Sequence, residues 1–189
     1  MRCVFVGLVV GLLVVTTVSG AELLTNGDFE HDISVGWTEQ ASGGEYTIGR
    51  DIFHNADPDY EACVRKYLTG YATLTQTVSV PNTNLFFSAE ARFSNECEDN
   101  VYNYFAASAI RLEYQDSSGV TLGETRIFSG TEYCDWASTS SLHLIEVAGD
   151  EWLELSFLVE EEVRNTPDVN PDDVAQVTIS LYAYSTDYC

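Results

Sequence analysis

Hydrophobic and polar residues alternate one by one in five stretches of the chain, and helical periodicity is nearly absent. Alternation with period two is typical of a β-strand that packs one face on a core and turns the other to water. The predicted strands cover residues 72–80, 87–94, 110–115, 153–159 and 177–184. We expect their apolar faces, for example Ile110, Leu112 and Tyr114 in the third strand, to form the core.

Turn-forming residues separate these strands, including Pro81-Asn82, Ser129-Gly130 and the segment 116–119. Gly43-Gly44 is predicted to be a hairpin turn between two short strands. Residues 59–67 fit a short helix, but Cys63-Val64-Arg65 within them fit a strand equally well. Strands recur without intervening helices. The pattern therefore predicts an all-β chain folded as a two-sheet antiparallel β-sandwich.

The first 20 residues differ from the rest of the chain. Arg2 precedes an apolar run over residues 3–15, and small residues follow at 19–21. This order is typical of a secretory signal peptide. We predict cleavage after Gly20 or Ala21, which leaves one domain over residues 21–189 and a secreted, extracellular or cell-surface location. The alternative is an uncleaved membrane anchor, although a spanning helix needs roughly 20 apolar residues.

The chain is strongly acidic, with a formal net charge of −22 and a single lysine, Lys66. Such a surface repels nucleic acid and anionic membranes, so we expect neither as a partner and no membrane insertion. Three interpretations of the acidity remain open. It keeps an exported protein soluble, it suits a salty medium that screens carboxylate repulsion, or it supplies oxygen ligands for calcium.

Four cysteines follow the predicted leader: Cys63, Cys97, Cys134 and Cys189. An even number in an exported chain argues for two disulfides, and three connectivities are possible. We favour Cys97–Cys134, because both residues sit in polar, turn-rich segments. That choice leaves Cys63–Cys189, which would pin the C-terminus.

Residues 23–37 read LLTNGDFEHDISVGW. This segment resembles the opening of carbohydrate-binding modules of the family 4/9 and family 22 type, which are galactose-binding-like jelly rolls. Residues 74–78, followed by a proline turn and residues 86–92, are similar to a pair of strands in that family, and Trp152 resembles its tryptophan-containing strand. The resemblance implies a jelly-roll topology and non-catalytic binding of a glycan or polysaccharide.

The resemblance also implies a structural calcium ion, held by the N-terminal strand and by an acid in the last strand. Asp28 and Glu30 are the candidates near the N-terminus. The last predicted strand, residues 177–184, contains no acid. Asp187 or the acids at 168–173 would have to replace it.

Sugar-binding sites in such folds place aromatic rings against the sugar and polar side chains at its hydroxyls. If the strands pair in the family's order, one sheet face would carry Glu90, Arg92, Arg111, Glu113, Tyr182 and Tyr184. The alternative for this set is cross-strand ion pairing on a solvated face. A second set consists of the loop aromatics Tyr102, Tyr104, Tyr133 and Trp136, which could equally pack over the ends of the sandwich. Trp37 and Trp152 are expected in the core.

No catalytic motif is visible. His31, His54 and His143 lack metal-binding spacing, and Glu160–Glu162 are interpreted as charges that guard a strand edge. We therefore predict that the protein is not an enzyme. The alternative to glycan binding is a structural or adhesive β-sandwich subunit of the cell surface or an extracellular assembly, which would self-associate.

Overall fold

The computed structural model describes residues 6–17, 20–53, 59–95 and 104–186. These residues form β-strands, one short α-helix and one 3-10 turn, with the strands in two facing sheets. The elements are β1 (Val6–Thr17), β2 (Thr38–Gly43), β3 (Tyr46–Asp51), β4 (Glu61–Lys66), β5 (Gly70–Ser79), β6 (Leu85–Asn95), β7 (Ala106–Gln115), β8 (Thr121–Gly130), β9 (Leu142–Glu146), β10 (Trp152–Leu158), α1 (Val159–Val163), the 3-10 turn Pro171–Asp173 and β11 (Gln176–Ser185).

One sheet has five strands in the order β10-β6-β1-β4-β3, and the other has six in the order β2-β5-β11-β7-β8-β9. Every described strand pair is antiparallel except β8 and β9, which run parallel. The predicted all-β, two-sheet sandwich is confirmed. The jelly-roll topology stays a prediction.

The alternating residues of the predicted strands form the core, as expected. Ile110, Leu112 and Tyr114 on β7 are fully buried. Ile179 and Leu181 on the neighbouring strand β11 are fully buried as well. Each such side chain contributes roughly 1.5–3 kcal/mol by leaving water. Burial of one face of every strand fixes which residues point outward, and thereby positions the polar faces.

The N-terminal apolar segment is the central strand of the five-stranded sheet. β1 pairs with β4 on one side and with β6 on the other, and Leu8, Val10 and Val15 are fully buried. Its many valines suit a strand as well as a leader, because β-branched side chains are enriched in sheets. Removal of residues 1–20 on export stays a prediction.

Two further expectations change. Residues 59–67 contain the strand β4, which selects one of the two interpretations left open. Gly43-Gly44 is not a hairpin turn, because β2 pairs with β5 in one sheet and β3 pairs with β4 in the other. The two glycines carry the chain between the sheets. Gly43 has a φ of 71°, and a Cβ there would lie 2.1 Å from the Thr69 carbonyl oxygen, so only glycine fits.

The structure also shows where the two predicted core tryptophans and the acidic residues 160–162 lie. Trp37 is in the core, as predicted, whereas Trp152 is half-buried and lies on the outer face of the five-stranded sheet. Residues 160–162 belong to α1, which anchors itself through buried Val159 and Val163. The part of the chain that the structure describes has no helix with the length and apolarity needed to cross a membrane.

Candidate functional site

A polar groove of about 430 Å³ lies on the outer face of the six-stranded sheet. Strands β2, β5, β11 and β7 line it side by side. We call it the outer groove, and its residues are Gln40, Tyr71, Thr73, Thr75, Thr77, Arg111, Glu113, Gln115, Thr178, Ser180 and Tyr182.

The register of the strands arranges these side chains in rows. Tyr182 on β11 lies opposite Thr73 on β5, and Ser180 lies opposite both Thr75 and Arg111. Because the intervening residues of each strand face the core, every second side chain projects from the same face. Alternation in the sequence therefore produces a continuous polar surface across the sheet.

A charge cluster, which consists of Arg111, Glu113, Glu124 and Arg126, lies along one side of the groove. The Glu124 carboxylate accepts hydrogen bonds from Arg111 Nε at 2.9 Å and from Arg126 Nε at 2.6 Å, and Arg111 also binds Glu113. All four side chains are at most 21% exposed. Such mutual pairing compensates for the cost of removing these charges from water.

The pKa values of the cluster follow from its contacts. Burial alone would raise the pKa of Glu124, but hydrogen bonds from Arg111 and Arg126 outweigh it and hold that pKa below its ordinary value. Burial would likewise lower the pKa of Arg111, but Glu124 and Glu113 raise it. Glu124 and Arg111 therefore stay ionised near neutral pH. The formal charges of the four residues sum to zero.

Aromatic rings surround the centre of the groove. The Tyr182 ring centroid lies 6.0 Å from that of Tyr71, 6.3 Å from that of Tyr184 and 6.4 Å from that of Trp136. The Arg111 guanidinium carbon lies 5.0 Å from the Tyr182 centroid. Burial raises the pKa of Tyr182, so its phenol stays neutral and can donate a hydrogen bond.

The hydroxyl groups along β5 differ in their partners. The Thr77 and Thr178 hydroxyls hydrogen-bond each other at 2.7 Å, and the Thr75 hydroxyl donates to the Thr38 carbonyl at 3.2 Å. The Thr73 hydroxyl is buried and has no hydrogen-bond partner among the described residues. Within the described chain, some hydroxyl groups of the groove thus have hydrogen-bond partners, whereas that of Thr73 does not.

The structure brings together some of the predicted ligand residues and separates others. Arg111, Glu113 and Tyr182 line the groove, and Tyr184 and Trp136 contact its aromatic centre. Glu90 and Arg92 lie on β6 in the other sheet. The prediction that all six strand residues share one face is therefore wrong for these two. The cause is that the chain changes sheets between β6 and β7.

Glu90 and Arg92 face two smaller cavities on the outer side of the five-stranded sheet. Arg92 lines a cavity of about 120 Å³ together with Arg65 and Trp152, and Glu90 lines one of about 240 Å³. Among the loop aromatics, Tyr133 is half-buried away from the groove lining and Tyr104 packs against the core. Tyr102 lies outside the described residues.

Several groove residues were not predicted, among them Thr73, Gln40, Tyr71 and the β8 pair Glu124 and Arg126. Strand β8 was not predicted, because its buried positions include Gly123 and Thr125, which do not form an apolar pattern in the sequence. A usable signal was present, because Glu124 and Arg126 are spaced by two and repeat the charges of Arg111 and Glu113 on the neighbouring strand.

Backbone carbonyls in the segment predicted to hold calcium accept hydrogen bonds from side-chain nitrogen atoms. Arg50 Nη1 donates to the carbonyls of Phe29 and Glu30, at 3.0 Å each. The Asn26 side-chain amide donates to the carbonyls of His31 and Asp32, at 3.2 Å each. Oxygen atoms that could ligate a cation therefore already accept hydrogen bonds.

The predicted metal ligands have other roles. Asp28 accepts the Glu30 backbone N–H at 3.3 Å, and the Glu30 carboxylate accepts the Tyr60 N–H at 3.1 Å. Within the described ranges, no three potential ligand side chains lie together. Asp187 lies outside those ranges. The residues that are described do not fit a calcium ion, and calcium binding stays a prediction.

The predicted disulfides involve residues that the structure only partly describes. Cys63 on β4 is buried and Cys134 is half-buried; neither is bonded to another described cysteine, and burial raises the pKa of each thiol. Cys97 and Cys189, their predicted partners, lie outside the described residues. Both pairings stay predictions.

No protein-family model matches the chain, and no curated protein matches it in sequence. The resemblance to carbohydrate-binding modules therefore stays a prediction. Function has to be inferred from the outer groove itself.

Proposed function

We propose that this protein binds a glycan in the outer groove and releases it unchanged. The observation that carries the proposal is the position of Tyr182. Its ring lies within the groove, against Arg111 on one side and opposite Thr73 on the other. An aromatic surface flanked by charged and hydroxyl groups matches the apolar face and the equatorial hydroxyls of a pyranose ring.

The charge cluster supports this proposal because its side chains are already held in place. Arg111 is held by two carboxylates before any ligand arrives. A side chain that is already fixed loses little conformational entropy on binding, so its hydrogen bonds to a sugar contribute more to affinity. Loosely held arginines on a solvated face would not offer this advantage.

The charge balance favours a neutral glycan. The cluster contributes two cations and two anions, in a chain whose formal net charge is −22. A uronic acid or sulfate group would meet the overall repulsion of the protein without finding an uncompensated cation in the cluster. Uncharged hydroxyls can bind both the carboxylates and the guanidiniums.

The state of the carboxylates supports binding without hydrolysis. Glycosidases generally need one carboxylic acid with a raised pKa and a second carboxylate at a set distance. Glu124 has a lowered pKa, and it shares Arg111 with Glu113. Glu124, with its lowered pKa, is therefore poorly suited to donate a proton to a glycosidic oxygen. Secretion stays a separate prediction, which rests on the N-terminal segment alone.

Affinity gel electrophoresis tests the proposal. The full chain is run through gels that contain hydroxyethyl cellulose, mixed-linkage β-glucan, xylan or galactomannan, and affinities are then measured by calorimetry. We expect at least one polysaccharide to retard the wild type. Tyr182→Ala should weaken binding about tenfold or more, because aromatic stacking and the packing of Arg111 are lost.

Tyr46→Ala is the matched control, because Tyr46 is exposed and lies on β3 of the other sheet. It should bind as the wild type does. The proposal fails if no polysaccharide retards the protein, or if both variants bind equally well. Oligomer formation in light scattering, without any glycan binding, would instead favour the structural or adhesive alternative.

A further inference from the structure

Thr73 is an exception in the outer groove. The residue is only 5% exposed, and its hydroxyl has no hydrogen-bond partner within the described part of the chain. A buried hydroxyl without a partner destabilises the folded protein, because it has given up its hydrogen bonds to water. Such a group calls for a specific explanation.

The other threonines on the same face of β5 do not share this property. Thr75 donates to the Thr38 carbonyl, and Thr77 pairs with Thr178. The hydroxyls of half-buried Thr75 and exposed Thr77 thus both find partners within the protein. Among the threonines that line the groove, Thr73 alone has a buried hydroxyl without a hydrogen-bond partner within the described residues.

The surroundings of Thr73 are those of a binding subsite. Gln40 on β2 and Tyr182 on β11 lie opposite Thr73 in the register, one on each side, and both line the groove. Tyr71 precedes Thr73 by two residues on the same face, and its ring stacks with that of Tyr182 at 6.0 Å. Thr73 thus lies between Gln40 on one neighbouring strand and Tyr182 on the other.

We propose that Thr73 is the specificity-determining residue of the groove, and that a hydroxyl of a neutral pyranose supplies its missing hydrogen bond while the sugar contacts Tyr182. This inference rests on the proposed glycan-binding function. A ligand hydroxyl can both donate to and accept from Thr73 Oγ1. A sugar without a hydroxyl at that place leaves Thr73 unpaired and binds less tightly.

The pair Thr73→Val and Thr166→Val tests the inference. Valine has nearly the shape of threonine but lacks the hydroxyl. For the polysaccharide among the four that retards the wild type most, Thr73→Val should weaken the affinity about tenfold, because its bond forms only with the ligand. The same variant should raise the melting temperature of the free protein, because an unpaired buried hydroxyl is gone.

Thr166→Val should behave in the opposite way. Thr166 is fully buried outside the groove, and its hydroxyl donates to the Val163 carbonyl at 2.6 Å. The variant loses a hydrogen bond within the protein, so the melting temperature should fall and the affinity should stay within about twofold of the wild type. Thr73→Ser, which keeps the hydroxyl, should retain binding. This crossed pattern separates a ligand contact from a general effect on folding.

Two results overturn the inference, and they can be told apart. If Thr73→Val binds as the wild type does while Tyr182→Ala does not, the groove binds glycans but Thr73 does not select them. That result would mean that water satisfies the hydroxyl in the complex. If the wild type binds none of the four polysaccharides, the proposed function fails and this inference fails with it.

Discussion

The Arg126 guanidinium lies over the indole ring of Trp136, with its Cζ atom 4.2 Å from the ring centroid. Trp136 belongs to the loop that follows β8, and its ring also approaches Phe128 at 5.3 Å. Arg126 is held in turn by Glu124. The charge cluster therefore fixes an aromatic loop residue beside the groove, which gives a direct link between sheet electrostatics and loop position.

Arg126→Met should release Trp136 from the sheet. A cation–π contact contributes about 0.5–2 kcal/mol, and its loss should make the indole ring more accessible to water. Quenching of tryptophan fluorescence by acrylamide should increase. Arg164→Met is the control, because Arg164 is exposed and pairs with Glu160 on α1. Equal quenching in both variants would contradict the proposed role of Arg126.

The charge cluster should make stability depend on pH. Glu124 has a folded-state pKa below its ordinary value of 4.5, so the folded state resists protonation more than the unfolded state does. Its contribution is therefore complete above about pH 4.5 and is lost as the pH falls through the folded-state pKa. In urea unfolding, wild type should exceed Glu124→Gln in stability at neutral pH, and this gap should shrink in acid.

The control for this pH series is Glu160→Gln, which breaks an exposed ion pair with Arg164. Its stability difference from the wild type should be small throughout, because surface ion pairs contribute about 0–1 kcal/mol. A gap for Glu124→Gln that stays constant from neutral to acid pH would show that the ion pairs of Glu124 do not stabilise the sandwich.

Asn26 should be a main support of the loop that precedes β2. Its side chain accepts the His31 N–H at 2.9 Å and donates to the carbonyls of His31, Asp32 and Val35. Its own backbone carbonyl accepts the Trp37 indole N–H at 3.1 Å. Its φ of 54° is left-handed, which asparagine tolerates better than alanine does. Asn26→Ala should lower the free energy of unfolding by about 2–3 kcal/mol.

Asn82→Ala serves as the comparison in urea unfolding. Asn82 is exposed and accepts one local hydrogen bond, from the Asn84 N–H. Its loss should lower the free energy of unfolding by about 1 kcal/mol or less. Equal effects of the two substitutions would mean that the Asn26 network is not a special support.

The sequence predicted the strands whose two faces differ most. On β11, Ile179 and Leu181 alternate with Ser180 and Tyr182, so both the strand and the direction of each side chain could be foreseen. Period-two alternation is a local property, and the core enforces it. Arg111, Glu113 and Tyr182 were found together for this reason.

The assignment of strands to sheets could not be foreseen in the same way. It depends on contacts between distant segments, which is why Glu90 and Arg92 were placed on the wrong face. The lack of a hydrogen-bond partner for Thr73 among the described residues could not be predicted either, since Thr73, Thr75 and Thr77 occupy equivalent positions in the alternating pattern. Only the positions of Thr38 and Thr178 distinguish them.

The strand β1 gives the N-terminal segment a structural role that its composition does not reveal. A chain that begins at Ala21 should melt at a lower temperature than the full chain, because β4 and β6 lose their shared partner and three fully buried side chains disappear. In the full chain, Val10→Ala should destabilise by about 2 kcal/mol, and half-buried Val9→Ala by less.

Mass spectrometry of the protein purified from its native source shows whether the residues of β1 are retained. Equal melting temperatures for the full chain and the chain that begins at Ala21 would show that β4 and β6 close the sheet without β1. That result would contradict the importance that the structure gives to the buried side chains of Leu8, Val10 and Val15.

Backbone NMR of the isotope-labelled protein, titrated with oligosaccharides of the polysaccharide that binds best, tests the central claim most directly. Binding in the outer groove should shift the amide signals of Thr73, Arg111 and Tyr182 on β5, β7 and β11. Shifts confined to Arg92 and Trp152 on the opposite sheet, or no shifts at all, would contradict the account.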